Sequence, residues 1–173
     1  MAPPAWPGIT SHRTLILPLA PRDWAPPRAG VLVEGQRFEP KSELHITLVG
    51  RRLMQALLQG DKALRRRRQR ALREAFQAQD WGWRRSGRLT WLQRRECERG
   101  GHADAIVEHI ALPAMAPFHA GLGHLLGQAL PLPPPHVTLY TRGLPGGIGL
   151  PDPATLERLR VRELLPADLH ATQ

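Results

Sequence analysis

A mixed fold of β-strands and α-helices in one domain is what this sequence predicts, and three observations carry it. Segments with the two-residue period of a strand and segments with the helical period follow one another through both halves of the chain. At 173 residues the chain fits one domain, or two closely packed lobes, with a sizeable core. Apolar residues make up 42% of it, an ordinary share for a globular protein, which argues against global disorder.

The elements follow in order. Residues 1–13 read as an irregular, proline-rich segment, and prolines recur to Pro27. A short strand fits residues 14–19, at a sheet edge because Pro18 cannot donate to a ladder. A second fits 31–34. Residues 43–49 are a firmer strand, since Leu44, Ile46 and Leu48 alternate with His45, Thr47 and Val49. The period then becomes helical, from Leu53 and Met54 to Ala75 and Phe76, with a break at Gly60 and with Asp61 as N-cap of a second helix. Two strands, 88–96 and 104–112, are joined by a polar turn holding Gly100 and Gly101, and Pro113 ends the second. A helix over 118–129 buries Leu122, Leu125 and Leu126. Four prolines between 131 and 135 force an extended approach to the strand 136–141. After the glycine-rich stretch 143–149, Asp152 and Pro153 open a short helix, and 161–165 is a last strand.

Charge and composition narrow the function. Twenty-four Lys and Arg face fifteen Asp and Glu, a formal +9, which attracts polyanions and nucleic acid above all, although an arginine-rich genome produces the same excess. No apolar stretch reaches the roughly 18–20 residues of a membrane span, and prolines interrupt any secretory signal at the N-terminus. The single cysteine, Cys97, has no intramolecular disulfide partner, so a cytoplasmic location is expected. It stands among charges with no evident base, which argues against a nucleophile.

One short motif occurs twice: His45-Ile46-Thr47-Leu48 and His136-Val137-Thr138-Leu139. In a strand, side chains two apart share a face. His45 and Thr47 are therefore expected on one face with Ile46 and Leu48 behind them, and His136, Thr138 and Tyr140 on one face with Val137 and Leu139 behind. A lone His-x-Thr is weak, because a strand histidine is often a half-buried core residue; two matched tetrapeptides are a much stronger signal. Two imidazoles suit acid–base work on a phosphodiester, one neutral to take a proton and one protonated to give it. Threonine hydroxyls can hold the non-bridging phosphate oxygens. That division of labour needs no metal.

With 91 positions between its copies, this paired motif resembles that of the 2H phosphoesterase superfamily, which includes 2′-5′ RNA ligase-like proteins and cyclic phosphodiesterases. The strand–helix order between the copies and the run Pro133-Pro134-Pro135 before the second also fit. The resemblance implies an α+β, two-lobed fold with pseudo-two-fold symmetry, antiparallel sheets flanking a central cleft and helices outside. It implies metal-independent chemistry without a cofactor on a 2′,3′-cyclic phosphate or related RNA or nucleotide phosphodiester. His45 and His136 would be the catalytic pair, and Thr47 and Thr138 the phosphate-binding residues. RNA or a nucleotide is the expected partner, with no membrane, and the chain is expected to be a monomer. Two alternatives stand beside it: a non-catalytic RNA- or nucleotide-binding module of the same fold, and a phosphodiesterase for a cyclic dinucleotide or an ADP-ribose cyclic phosphate.

Other residues carry weaker signals. Tyr140 is a candidate substrate contact, or a tyrosine packed at the cleft edge. Trp91, in phase with Leu89, is expected in the core rather than stacked on a base. Arg65 to Arg68 and Arg70 form a solvated helix face or contact RNA backbone. His102 with His109, and His119 with His124, lack the Cys or acidic neighbours of a zinc site. The stretch 143–149 lacks the Lys-Ser/Thr ending of a P-loop and reads as a turn whose backbone can line the cleft.

Overall fold

The computed structural model describes residues 4–96 and 101–172. Of the turn expected between residues 96 and 104, positions 97–100, with Cys97 and Gly100, lie outside them, whereas Gly101 to Ala103 are already paired strand. The elements are β1 (Leu15–Pro18), β2 (Val31–Val33), β3 (Gln36–Pro40), β4 (His45–Val49), α1 (Arg51–Leu57), α2 (Lys62–Gln77), β5 (Arg84–Glu96), β6 (Gly101–Ala111), α3 (Met115–Leu126), β7 (His136–Arg142), α4 (Pro153–Leu159), β8 (Arg160–Leu164) and β9 (His170–Ala171), with one turn of 3-10 helix at Pro166–Asp168. The fold is α+β: every described strand pairing is antiparallel, and the sheet is flanked by the four helices. No helix among the described residues is long and apolar enough to cross a membrane.

Local chemistry accounts for the helix limits. Asp61 caps α2, its carboxylate accepting from the Leu64 N–H at 2.8 Å. Asp152 does the same for α4 through Thr155, with Pro153 in the first turn. Helix α3 spans 115–126 rather than the expected 118–129. Pro117 sits in its first turn, where a missing N–H costs nothing, and Gly127 ends it with a left-handed φ of 68°.

The sheet runs β8-β5-β6-β7-β3-β2-β9, and β4 joins β7 beside β3 while carrying β1 on its far edge. Strand β7 is thus the junction. Its one side pairs with β6; its other side meets β4 at Val137 and β3 at Tyr140 and Thr141. Two strands were not anticipated, β3 and β9. Strand β3 is the return arm of a hairpin through Glu34 and Gly35, both at positive φ, and only Phe38 of its five residues is a buried apolar side chain.

Successive residues of β6 serve two cores, as a strand's alternation demands. Ile106 and Ile110 face the main core, where Ile46, Leu48, Val137 and Leu139 meet Phe76 of α2 and Phe118 and Leu122 of α3. Ala103, Ala105 and Val107 face a smaller core closed by Ile148 and Leu150. Trp91 is buried in the main core, as expected, with its ring edge-on to Phe38.

One buried carboxylate ties three central strands together. Asp104 of β6 accepts from Trp91 Nε1 at 2.9 Å and Gln93 Nε2 at 3.0 Å, both on β5, and from the Arg142 guanidinium of β7 at 2.9 Å. It is 1% exposed. Removing it leaves the buried indole N–H of Trp91 without an acceptor, while the part-exposed Arg142 can turn to water, so Asp104→Ala should lower stability by about 1–3 kcal/mol in urea unfolding. Asp104→Asn, which keeps an acceptor for the indole, should lose less.

Candidate active site

The two motif strands pair directly, antiparallel, through Ile46 and Val137. These residues hold the same place in the two tetrapeptides, so the contact is a local two-fold relating one copy to the other. Carrying the register one residue each way sets His45 opposite Thr138 and Thr47 opposite His136. Opposed residues share a face. All four polar side chains therefore stand on one side of the sheet, half-buried, while Ile46, Leu48, Val137 and Leu139 are buried on the other. The two histidines are diagonal neighbours, a relation that sets residues about 7–8 Å apart with their Cβ atoms somewhat closer, a span that a phosphate can bridge.

The surroundings tune both rings toward the neutral form. Burial lowers the pKa of His45, the ammonium of Lys41 lowers it further, and Glu43 opposes them. Burial likewise lowers His136, and His45 adds to this, while backbone contacts with Pro134 and Ile148 pull the other way. His136 Nδ1 lies 2.8 Å from the Pro134 carbonyl. In the neutral ring Nδ1 donates to that carbonyl, so Nε2 carries the lone pair. The proline run thus sets the tautomer as well as the approach of β7; its last carbonyl, Pro135 O, accepts from Ile110 N at 3.1 Å.

The glycine-rich loop folds back over the second motif. Gly143, at φ 81°, begins the reversal, and a side chain there would collide with the His102 carbonyl. A Cβ on Gly147 would stand 2.9 Å from Thr138 Oγ1, so only glycine lets the backbone come this close. Ile148 and Leu150 anchor the loop in the smaller core. On the opposite side Lys41 Nζ donates to the Pro145 carbonyl at 3.0 Å, and Lys41 N bonds Leu139 O beside the motif. Lys41 thus links the surroundings of both histidines, a role nothing in its local sequence signals.

A third histidine joins the cluster. His109 of β6 is directly opposite His136 of β7. Its Nε2 lies 2.8 Å from Thr90 Oγ1, and it is buried. Burial, reinforced by Arg88 and His136, lowers its pKa to about 4, with Glu163 opposing. His119 is also buried, but it serves the fold: Nε2 donates to Leu48 O at 2.8 Å, joining α3 to β4.

Tyr140 is separated from the other four. The β6–β7 register shifts between Ile106 and Val107, so Val107 opposes Thr138 while Ile106 opposes Tyr140. Because Ile106 and Val107 point to opposite faces, the bulge turns Tyr140 away from Thr138, and it packs against the main core. Alternation from His136 alone predicts the wrong face here. Among the described residues no three His, Cys, Asp or Glu side chains converge as a metal site. A cavity of about 580 Å³ lies along α3, beyond the main core from the paired motifs.

The depressed His109 links this cluster to stability. Between about pH 4 and its ordinary 6.5 the unfolded chain binds a proton that the folded protein excludes. Its stabilising contribution is therefore complete above pH 6.5 and is lost as pH falls toward 4, on the order of 3 kcal/mol in all. Urea unfolding across this range should show His109→Gln losing less stability than the wild type. Parallel declines would show that His109 does not titrate in this way.

Compared with protein-family models, with curated proteins and with solved structures, the chain matches none.

Proposed function

We propose that the protein is a phosphodiesterase of the two-histidine kind, acting on a 2′,3′-cyclic phosphate or a related phosphodiester of RNA or a nucleotide. One observation carries this reading: the direct pairing at Ile46 and Val137, which brings two His-x-Thr copies to one face in two-fold relation. In hydrolysis, the neutral imidazole removes a proton from water as its oxygen bonds to phosphorus. The protonated imidazole gives a proton to the ester oxygen as the P–O bond breaks. In this reading Thr47 and Thr138 donate to the non-bridging oxygens, where charge builds in the transition state. Lys41 adds a cation beside His45.

The same reading takes the fold as a two-lobed, pseudo-two-fold 2H-like arrangement, and the local two-fold between the motifs supports it. It places a monomeric enzyme in the cytoplasm, in keeping with a single cysteine. A second reading, a nucleotide-binding module without turnover, is favoured by the loop packed against Thr138 and His136, which must yield before a substrate reaches the second motif.

The deciding assay uses the purified protein with EDTA against 2′,3′-cyclic nucleotides and an RNA ending in a cyclic phosphate, beside His45→Ala and His136→Ala. Turnover should survive the chelator and fall by about 10²–10⁴-fold in each variant. Because both imidazoles are depressed in the free protein, the bell of kcat/KM against pH should centre on the acid side of 6.5. Loss of turnover with EDTA, or full activity in either variant, would overturn the proposal. Binding without turnover would establish the second reading.

A further inference from the structure

Helix α2 carries seven cations, Lys62, Arg65 to Arg68, Arg70 and Arg73, against one carboxylate, Glu74. Six of the chain's nine net positive charges therefore sit on this one element. The arrangement opposes helix formation. Lys62 and the four consecutive arginines crowd the first two turns, at the positive end of the helix dipole, and the first turn holds no acidic residue. Two of these side chains find work within the fold. Arg68 donates to the carbonyls of Ala56 and Gln59, and Arg65 to that of Gly60, closing the end of α1. Arg66, Arg67, Arg70 and Arg73 are exposed and make no ion pair or hydrogen bond among the described residues. Uncompensated charge gathered on one helix attracts polyanions.

Three of the four form a stripe. Arg66, Arg70 and Arg73, spaced four and three residues apart, lie on one side of the helix. Arg70 and Arg73 line a groove of about 440 Å³ with Gln69, Trp6 and Ile9. Trp6 is held edge-on against Phe76 of α2, ring centroids 5.3 Å apart, and is only half-buried. A fixed indole beside a row of guanidinium groups is the pairing that binds unpaired bases and their phosphates.

We propose that this face of α2, with Trp6 at its edge, docks a single-stranded polynucleotide at a site separate from the paired histidines. A duplex would offer Trp6 no free base to stack on. A lipid surface fits poorly, because the apolar side of α2, Leu72 and Phe76, is buried in the main core and leaves nothing to insert. The main core lies between α2 and the histidine face, so this site stands or falls independently of the catalysis proposed above.

The test is fluorescence anisotropy with a labelled oligouridylate, in a His45→Ala/His136→Ala background where turnover cannot intervene. Arg66→Gln/Arg70→Gln/Arg73→Gln is compared with a charge-matched control, Arg22→Gln/Arg28→Gln/Arg158→Gln; all six side chains are exposed. At about 0.1 M salt the α2 variant should bind at least tenfold more weakly. Its slope of log affinity against log salt should be shallower by about 2, for three lost phosphate contacts. The control should stay within about twofold of the parent. Trp6→Leu should weaken binding without changing the salt slope. Absence of binding by the parent, equal losses in α2 variant and control, or a loss seen only with phosphatidylserine vesicles would each overturn the proposal.

Discussion

Ile46 and Val137 face one another where β4 meets β7, both wholly excluded from solvent. A slip of one residue in either strand would turn its apolar side chains out and drive its histidine into the main core. The hydrophobic demand of Ile46, Leu48, Val137 and Leu139 thus sets the register, and the register sets the chemistry on the opposite face. The wider architecture secures this one contact. Asp104 and its donors lock β5, β6 and β7 together, and the helices bury the side of the pair that must stay dry.

The same packing sets the electrostatics. Burial holds three imidazoles, His45, His109 and His136, toward their neutral forms. Each costs something in acid, since the unfolded chain takes up the protons that the fold refuses. A phosphate arriving between His45 and His136 would relieve that cost by stabilising an imidazolium. An anion bound there would therefore be coupled to proton uptake.

What was legible in the sequence was local. His-Ile-Thr-Leu and His-Val-Thr-Leu announce strands by alternation, and Asp61 and Asp152 announce helix starts by the hydrogen bonds their carboxylates accept. What was not legible depends on distant chain. Strand β3 has a single buried apolar residue and follows a turn that begins with Glu34, an uncommon residue at positive φ. The bulge that removes Tyr140 from the histidine face leaves no mark in the residues around it. His109 and Lys41 join the site only because β6 and the end of β3 lie against β7.

A pair of strands related by a two-fold looks the same from either end, so the four motif side chains by themselves have no polarity. Whatever lies across them could be reversed without loss if nothing else were there. Direction comes from the parts that are not duplicated. Lys41 stands by the first histidine, while the Pro134 carbonyl and the loop through Gly147 and Ile148 stand by the second. Under the proposed function, telling a chain's 5′ end from its 3′ end on this face would fall to these residues outside the repeat, several of which are themselves fixed by packing, as Gly147 and Ile148 are.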